Sequence, residues 1–261
     1  MKTSLAALLL LAPISALAAP ESKLWAYWNT SNPEHAESIS HQAWQELLDK
    51  YLVVQGEDHL LRYGAFEPQD TLKLNRYIES LETLDPRQLR QNQQYAYWVN
   101  LYNAVTVKLI IDHYPVSSIT KLGGLFSFGP WDQDVLTING QDVTLNDIEH
   151  RILRPIWQDP RTHYAVNCAS LGCPNLQASA FTAENTEALL EQAAEAFINS
   201  RKGAEIQGET LTLSSIYDWF AEDFGDKEAL FDHLTHYRPE LAEFSGKIRY
   251  DYDWQLNERK E

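Results

Sequence analysis

The chain has 261 residues, of which 37 are acidic and 21 are Lys or Arg, so its formal charge at pH 7 is −16. So acidic a chain is unsuited to bind nucleic acid or anionic membrane surfaces, because both are themselves negatively charged. Its length suffices for one substantial hydrophobic core or two small ones.

The N-terminus has the features of a secretory signal peptide. Lys2 supplies a positive charge, Leu5 to Leu17 is an apolar stretch, and Ala16-Leu17-Ala18 is a small-x-small cleavage site. The stretch is too short for a lasting membrane span, although an uncleaved anchor is the alternative interpretation. We therefore predict a signal peptide over residues 1–18 and a periplasmic or secreted mature protein without stable membrane insertion. Its formal charge is −17, because the removed segment carries one Lys and no acidic residue.

Apolar residues at helical spacing predict three helices in the first half of the chain. They cover residues 40–52, 71–84 and 91–114, with a loop between the first two. The third is apolar on nearly every side, which is typical of a buried central helix. Asn100 and Asn103 share one of its faces, and buried amides must find hydrogen-bond partners. They are either a structural pair or the polar wall of a site.

The second half of the chain mixes short strands with helices. A loop rich in glycine and aromatic residues, 123–131, contains Trp131 and could line a cleft. After it we predict a hairpin over 136–144 that turns at Asn139-Gly140, and a helix to 153 that begins with a capping box of Thr144 and Asp147. We then predict a strand over 162–167, a helix over 182–201, a hairpin over 205–213, a helix from 214 or 215 to 224 and helical sequence to about 234. The predicted fold class is therefore α+β, mostly helical with a small antiparallel sheet.

Both cysteines lie in one segment, with four residues between Cys168 and Cys173. His163 lies upstream on the predicted strand, and Glu149 and His150 lie on the helix before it. An oxidising compartment favours a Cys168–Cys173 disulfide, which would stabilise so small a loop by roughly 2 kcal/mol.

Three other types of chemistry also fit the cysteine segment. One cysteine could be a nucleophile, which requires a thiolate and a nearby base such as His150 or His163. A structural metal site is the least favoured, because zinc usually requires a second pair of ligands. Redox exchange is weakened by the spacing, which is not Cys-x-x-Cys.

Four blocks of the chain together resemble the domain-of-unknown-function family 547. The blocks, in the family's order, are Tyr97 to Thr106, Asp147 to Arg154, Asp159 to Pro174 and Leu213 to Phe220. The family has no established activity, and we expect a secreted bacterial type. The resemblance implies a core similar to papain-like or transglutaminase-like thiol enzymes, with Cys168 as nucleophile and His150 or His163 as base. With it we divide the chain into the signal peptide, an N-terminal helical extension (19–84), an α+β core (85–235) and a tail (236–261).

Two functional hypotheses follow from the sequence. The first is a thiol-dependent hydrolase or acyl transferase without a metal or cofactor. Its predicted catalytic residues are Cys168, His150, His163, Glu149 and Asn100, and its predicted binding residues are Asn103, Asn167, Ser170 and Trp131. In the second, a non-catalytic binding module of the cell envelope uses a Cys168–Cys173 disulfide to rigidify a ligand loop. In either case we expect the ligand to be a small molecule or a peptide.

Overall fold

The structure is a computed structural model that describes residues 20–124 and 128–260. The predicted signal peptide and Phe126 of the glycine- and aromatic-rich loop lie outside the described residues. The chain is 48% helical with small antiparallel and mixed sheets, which confirms the α+β class. Within the described ranges, no helix combines the length and the hydrophobicity needed to cross a membrane.

Short strands are interspersed among the helices along the chain. The helices are α1 Gln42–Tyr51, α2 Pro68–Glu82, α3 Gln91–Asp112, a π-helix Asp147–Leu153, α4 Arg154–Trp157, α5 Thr162–Ala165, α6 Thr186–Asn199, α7 Ile216–Trp219, α8 Ala221–Phe224 and α9 Lys227–Tyr237. The strands are β1 Leu52–Gln55, β2 Asp58–Leu61, β3 Leu136–Ile138, β4 Gln141–Val143, β5 Ala204–Gln207, β6 Thr210–Ser214 and β7 Lys247–Asp251. Short 3-10 helices lie at Ala26–Trp28, Tyr63–Ala65, Pro86–Gln88, Ile119–Lys121 and Pro239–Glu243.

Helix α3 is the centre of the larger hydrophobic cluster, as its all-round apolar sequence predicts. Tyr97, Trp98 and Val99 follow one another in the chain, so they point to different sides of this helix, and all three are buried. Leu74 of α2 and Ile148 of the π-helix belong to the same cluster. The N-terminal helices therefore share a core with the segment that carries the cysteines.

A second hydrophobic cluster lies under α6, β5, β6 and α7 to α9. Its largest side chains are Tyr164, Phe197 and Tyr217, all buried. Strands β5 and β6 form the predicted hairpin, and β7 pairs with β6 in parallel, with Leu213 opposite Tyr250. The tail is therefore bound to the sheet through its backbone.

The π-helix is held at its start by the predicted capping box. Thr144 Oγ1 accepts from the Asp147 N–H at 2.9 Å, while the Asp147 carboxylate accepts from the Thr144 N–H at 3.0 Å. Further along, the carbonyl groups of His150 and Arg151 accept hydrogen bonds from residues near the start of the described chain. Lys23 and Trp25 donate them, each at 2.9 Å.

The predicted strand over 162–167 is wrong, because Thr162–Ala165 is the short helix α5. The Thr162 N–H donates to the Asp159 carbonyl at 3.0 Å, and the Asp159 carboxylate accepts from the Arg161 N–H. This local turn starts a helix that an alternating pattern of side chains does not reveal. His163, Ala165 and Asn167 therefore do not share one face of a strand.

Two more predictions are corrected at the level of secondary structure. The loop predicted after α1 contains the β1–β2 hairpin, which turns at Gly56 with φ +62°. The helix predicted to run to Phe224 is interrupted at Phe220, whose backbone leaves helical geometry between α7 and α8. The hairpin that turns at Asn139-Gly140 is confirmed.

Candidate functional site

The cysteine loop follows α5 and holds both cysteines as free thiols. Cys168 is half-buried and Cys173 is buried. The Cys168 N–H donates to Cys173 Sγ at 2.9 Å, so the second sulfur lies against the backbone of the first cysteine. The two residues are therefore neighbours across the loop.

Two hydroxyl groups contact the sulfur of Cys168. Cys168 Sγ lies 3.1 Å from Ser170 Oγ and 3.0 Å from Tyr252 Oη, and the two hydroxyl oxygens are 3.0 Å apart. Burial alone would raise the pKa of the Cys168 thiol. Its hydrogen bonds with Cys173, Ser170 and Tyr252 outweigh burial and hold this pKa below its ordinary value. Burial and the Cys168 sulfur raise the pKa of Cys173 well above the ordinary value.

Asn103 and Asn167 fix the backbone on either side of the cysteines. Asn103 Oδ1 accepts from the Asn167 N–H at 2.8 Å, and its Nδ2 donates to the Ala165 carbonyl at 3.0 Å. Asn167 Nδ2 then donates to the Pro174 carbonyl at 2.8 Å, and its Oδ1 accepts from the Ala169 N–H. The residues that flank Cys168 and Cys173 are thus joined directly to each other.

Asn100 bonds a different segment from Asn103, although the two lie one turn apart on α3. Its Oδ1 accepts from the Phe181 N–H at 3.0 Å and its Nδ2 donates to the Phe181 carbonyl at 2.7 Å. Both the oxygen and the nitrogen of the Asn100 side chain therefore bond the segment that leads into α6. Asn100 is not among the hydrogen-bond partners of Cys168 in the described part of the chain.

Glu149 is a buried carboxylate between the two candidate histidines. Its Oε1 lies 3.7 Å from His163 Nδ1, and its Oε2 lies 4.0 Å from His150 Nε2. Burial alone would raise the pKa of Glu149, but the positive charges of His150 and His163 outweigh it. The pKa of Glu149 is lowered to about 2, so this side chain is a carboxylate at neutral pH.

His163 lies between two carboxylates. Its Nε2 is 2.6 Å from Asp223 Oδ2, and Glu149 faces its Nδ1. Its ring stacks on Phe220 at a centroid distance of 4.2 Å. Burial opposes its protonation, but the hydrogen bond to Asp223 and the negative charges of Glu149 and Asp223 prevail and raise the pKa of His163. This histidine is therefore the one that favours the protonated form.

His150 is equally buried but has a cationic neighbour. Arg154 Nη1 donates to His150 Nδ1 at 2.9 Å, which places the proton of the neutral ring on Nε2. Burial lowers the pKa of His150 to about 4, so the ring is neutral at pH 7. The guanidinium of Arg154 also pairs with Glu222 and Asp223, each at 2.5 Å. Arg154 therefore contacts both carboxylates and His150 at the same time.

A cavity of about 470 Å³ opens on this ionic cluster. Its walls include Arg154, Asp159, Glu222 and Asp223. Among the described residues, no group of three or more His, Cys, Asp or Glu side chains is placed to hold a metal ion.

The thiols and the histidines meet through Glu149 and Tyr102. Burial raises the pKa of the Tyr102 hydroxyl, and the charges of Glu149 and Cys168 raise it further. The charge of Glu149 also raises the pKa of Cys168. In the described ranges, however, no hydrogen bond joins Cys168 to His150 or His163. The cysteine and the histidines therefore interact electrostatically through Glu149 and do not form a direct pair.

An aromatic surface extends away from Cys168 toward solvent. It comprises Phe128, Trp131, Trp219, Tyr252 and Trp254, which contact one another at centroid distances of 4.6 to 6.1 Å. Phe128 is 48% exposed, and the other four are half-buried. The Tyr252 hydroxyl that contacts Cys168 belongs to this surface, which also contains the predicted binding residue Trp131.

Residues 86–198 match the model of a family described as "Protein of unknown function, DUF547". The chain contains a DUF547 domain. The DUF547 match covers α3, the π-helix and the cysteine loop, whereas Asp223 and Tyr252 lie outside it. The comparison with curated proteins and the comparison with solved structures found no match.

Sequence reasoning missed several residues of the site. Arg154 is the last residue of the second family block, but its ion pairs with Glu222 and Asp223 could not be predicted because these partners are distant in the sequence. Asp223 follows the fourth block by three residues, and an acidic residue there gives no distinct signal. Tyr252 lies 84 residues from Cys168 in the chain, in a segment predicted as an irregular tail. Its position beside the thiol depends on the pairing of β7 with β6.

Proposed function

We propose that this DUF547-domain protein is a thiol-dependent hydrolase or acyl transferase with Cys168 as its nucleophile. The supporting observation is the half-buried Cys168 thiol, which two hydroxyl groups contact and whose pKa lies below its ordinary value. The thiolate is the reactive form of cysteine, so a lowered pKa raises the reactive fraction at neutral pH.

In the proposed reaction the Cys168 thiolate attacks the carbonyl carbon of an acyl substrate. A carbon–sulfur bond forms, and the electron pair of the carbonyl π bond moves to its oxygen. Ser170 and Tyr252 carry hydroxyl donors within reach of the reacting sulfur, and they would stabilise this oxyanion. The intermediate then expels an amine or alcohol, which takes up a proton. Water or another acceptor cleaves the thioester and releases the thiolate.

Glu149, His150 and His163 form the proton reservoir of this proposal. His163 favours the protonated state and His150 the neutral state, so the cluster holds an acid and a base. Glu149 faces both rings and lies near the thiol, which makes it the positioning residue between them. In the proposed reaction a histidine would contact a reacting atom only once substrate is bound, because catalytic hydrogen bonds often form fully only in the substrate complex.

The aromatic surface is the proposed binding site for the acyl group. Its Tyr252 contacts Cys168, and its rings remain partly open to solvent. Flat or apolar groups gain most from such a surface, because they can stack on it and remove apolar area from water. Trp131 and Trp254 contact each other at 5.9 Å and would bind the part of the substrate beyond the scissile bond.

A panel of aromatic esters and thioesters tests the proposed reaction. We expect hydrolysis by the mature protein and its loss in Cys168→Ala. Cys173→Ala is the matched control, because it removes a thiol from the same loop and leaves the nucleophile. It should slow hydrolysis without abolishing it, because Cys168 loses one of the hydrogen bonds that lower its pKa. Equal thermal melting of both variants would show that folding is intact. Unchanged hydrolysis in Cys168→Ala would overturn the assignment.

Export is part of the same proposal, since the sequence of residues 1–18 has the character of a signal peptide. N-terminal sequencing of the protein purified from its producing cell should begin at Ala19. A protein that retains Met1 and remains in the cytoplasm would contradict export.

A non-catalytic envelope binding module is the second candidate, and the aromatic surface favours it. Such a module would bind its ligand equally well in wild type and in Cys168→Ala. Quenching of the tryptophan fluorescence by ligand provides the measurement, with Trp131→Ala expected to weaken binding.

A further inference from the structure

We propose that Cys168 and Cys173 are a dithiol–disulfide couple that exchanges with low-molecular-weight disulfides. Cys168 attacks the external disulfide, and Cys173 resolves the mixed disulfide. The observation that carries this proposal is a loop in which both cysteines are adjacent and the residues flanking them are tied together.

The loop brings the second sulfur to the first cysteine. Cys173 Sγ accepts from the Cys168 N–H at 2.9 Å, and the Cys173 N–H donates to the Ser170 carbonyl at 3.2 Å. Asn167 and Pro174, which flank the pair, are joined by a hydrogen bond of 2.8 Å. Both ends of the loop are therefore fixed at a short separation. A disulfide requires neighbouring backbones of this kind.

The two thiols differ in access and in acidity. Cys168 is half-buried and has the lower pKa, whereas Cys173 is 5% exposed and has a raised pKa. An external disulfide can therefore reach Cys168 and not Cys173. Once Cys168 carries a mixed disulfide, Cys173 is the neighbour that can attack it. Thiol–disulfide exchange proceeds through such a mixed intermediate.

The exchange balances in two steps. The Cys168 thiolate attacks one sulfur of RS–SR, the S–S bond breaks, and RS⁻ leaves and takes up a proton. Cys173 then loses its proton and attacks Cys168 Sγ, which expels the second RS⁻. The two cysteines are oxidised to one disulfide, and the external disulfide is reduced to two thiols. An excess of external thiol reverses both steps.

Disulfide exchange by this couple does not require that the protein catalyse acyl transfer, although both reactions would use the sulfur of Cys168. In the oxidised form this sulfur is bonded to Cys173 and cannot attack a carbonyl carbon. Any acyl-transfer activity would therefore depend on the redox state of the surroundings.

A redox titration of the mature protein tests the couple. The reduced protein is equilibrated with glutathione buffers of increasing disulfide content, quenched with acid and alkylated, and its intact mass is recorded. We expect one transition from two alkylated thiols to none, with the mass of an intramolecular disulfide. Absence of that species at every ratio, or glutathione bound stably to both cysteines, would overturn the proposal.

Single-cysteine variants assign the two roles. Cys173→Ser should accumulate a stable mixed disulfide at Cys168, because the resolving thiol is missing. Cys168→Ser should react at least tenfold more slowly, because its remaining thiol is buried. Equal rates in the two variants would overturn the assignment. Should either variant fail to fold, the wild-type titration still decides whether the couple exists.

The outcomes also separate this couple from the proposed hydrolase. Disulfide exchange as expected, without hydrolysis of any ester or thioester, would contradict the proposed acyl transfer and leave the redox couple intact. Hydrolysis without disulfide formation would count against the couple alone.

Discussion

The cysteine loop and the ionic cluster stabilise their charged groups by opposite means. In the cysteine loop, uncharged hydroxyl groups contact Cys168, and the carboxylate nearby works against its ionisation. In the ionic cluster, charges of opposite sign face one another, as His163 and Asp223 do. Hydrogen bonds from uncharged groups thus favour the Cys168 thiolate without a cation beside it. The charged groups of the ionic cluster instead depend on partners of opposite charge.

Loss of the buried cation should have the largest effect on the ionic cluster. The Arg154 side chain is 2% exposed and pairs with two carboxylates. Arg154→Ala leaves Asp223 without its nearest cation, and we expect a loss of about 3–5 kcal/mol in the free energy of unfolding. Urea denaturation measures it. Arg201→Ala is the control, because Arg201 is 80% exposed and 3.9 Å from Glu57. A change of less than about 0.5 kcal/mol is expected there.

Acid should weaken the ionic cluster through His150. Burial lowers the pKa of His150 from 6.5 to about 4, so the unfolded chain binds a proton more readily between these values. Stability therefore falls as the pH drops from about 6.5 to about 4, by up to about 3 kcal/mol. Glu149, with its pKa at about 2 instead of 4.5, extends this loss to lower pH. His163 acts in the opposite direction, since its pKa is raised and its contribution is lost as the pH rises.

The variant His150→Gln isolates the contribution of His150. Its amide oxygen can still accept from Arg154, but it does not titrate, so the stability curve should be flatter between pH 6.5 and 4. The exposed His236 provides the control His236→Gln, which should keep the wild-type curve. Identical curves for His150→Gln and wild type would contradict the role assigned to burial.

A comparison of two asparagines sharpens the account of the cysteine loop. Asn103→Ala and Asn100→Ala each remove two buried hydrogen bonds to the backbone. Each should cost about 2–3 kcal/mol of unfolding free energy. In Asn103→Ala the rate of Cys168 alkylation should also change, because the lost bonds held the residue beside the thiol. Unchanged alkylation in both variants would show that the loop keeps its shape without Asn103.

The smallest expected effect on stability is that of Tyr252→Phe. It removes one hydroxyl from the Cys168 sulfur, so the pKa of the thiol should rise and alkylation at neutral pH should slow by up to about tenfold. Stability should change by about 1 kcal/mol or less. Tyr250→Phe is the control, since Tyr250 lies on β7 and is 43% exposed. Alkylation at the wild-type rate in Tyr252→Phe would show that the hydroxyl does not support the thiolate.

Local patterns were sufficient to predict much of the fold. The all-round apolar sequence predicted the buried helix α3, and Asn139-Gly140 predicted the β3–β4 turn, because such features depend on residues close in sequence. The capping box of Thr144 and Asp147 was predicted for the same reason. In the site, the cysteine segment identified the loop that carries the free thiols.

What the sequence could not predict depends on distant contacts. Helix α5 replaces a predicted strand because the Asp159 carbonyl and carboxylate accept nearby N–H groups, a choice that alternation of side chains does not reveal. Tyr252 reaches Cys168 because β7 pairs with β6, and Asp223 reaches His163 across 60 residues of chain. These contacts are decided by tertiary packing, which residue spacing does not encode.

The pairing of residues 247–258 with earlier parts of the chain has a consequence for the order of assembly. Leu256 donates to the Ser117 carbonyl, Leu61 to the Asn257 carbonyl and Leu171 to the Gln255 carbonyl. During synthesis these partners emerge from the ribosome long before residues 255–257 do. Contacts between such distant positions form late, because a long loop must close first. We therefore expect the hydrogen bond between Tyr252 and Cys168 to form late in folding, when residues 247–258 dock on the earlier parts of the chain.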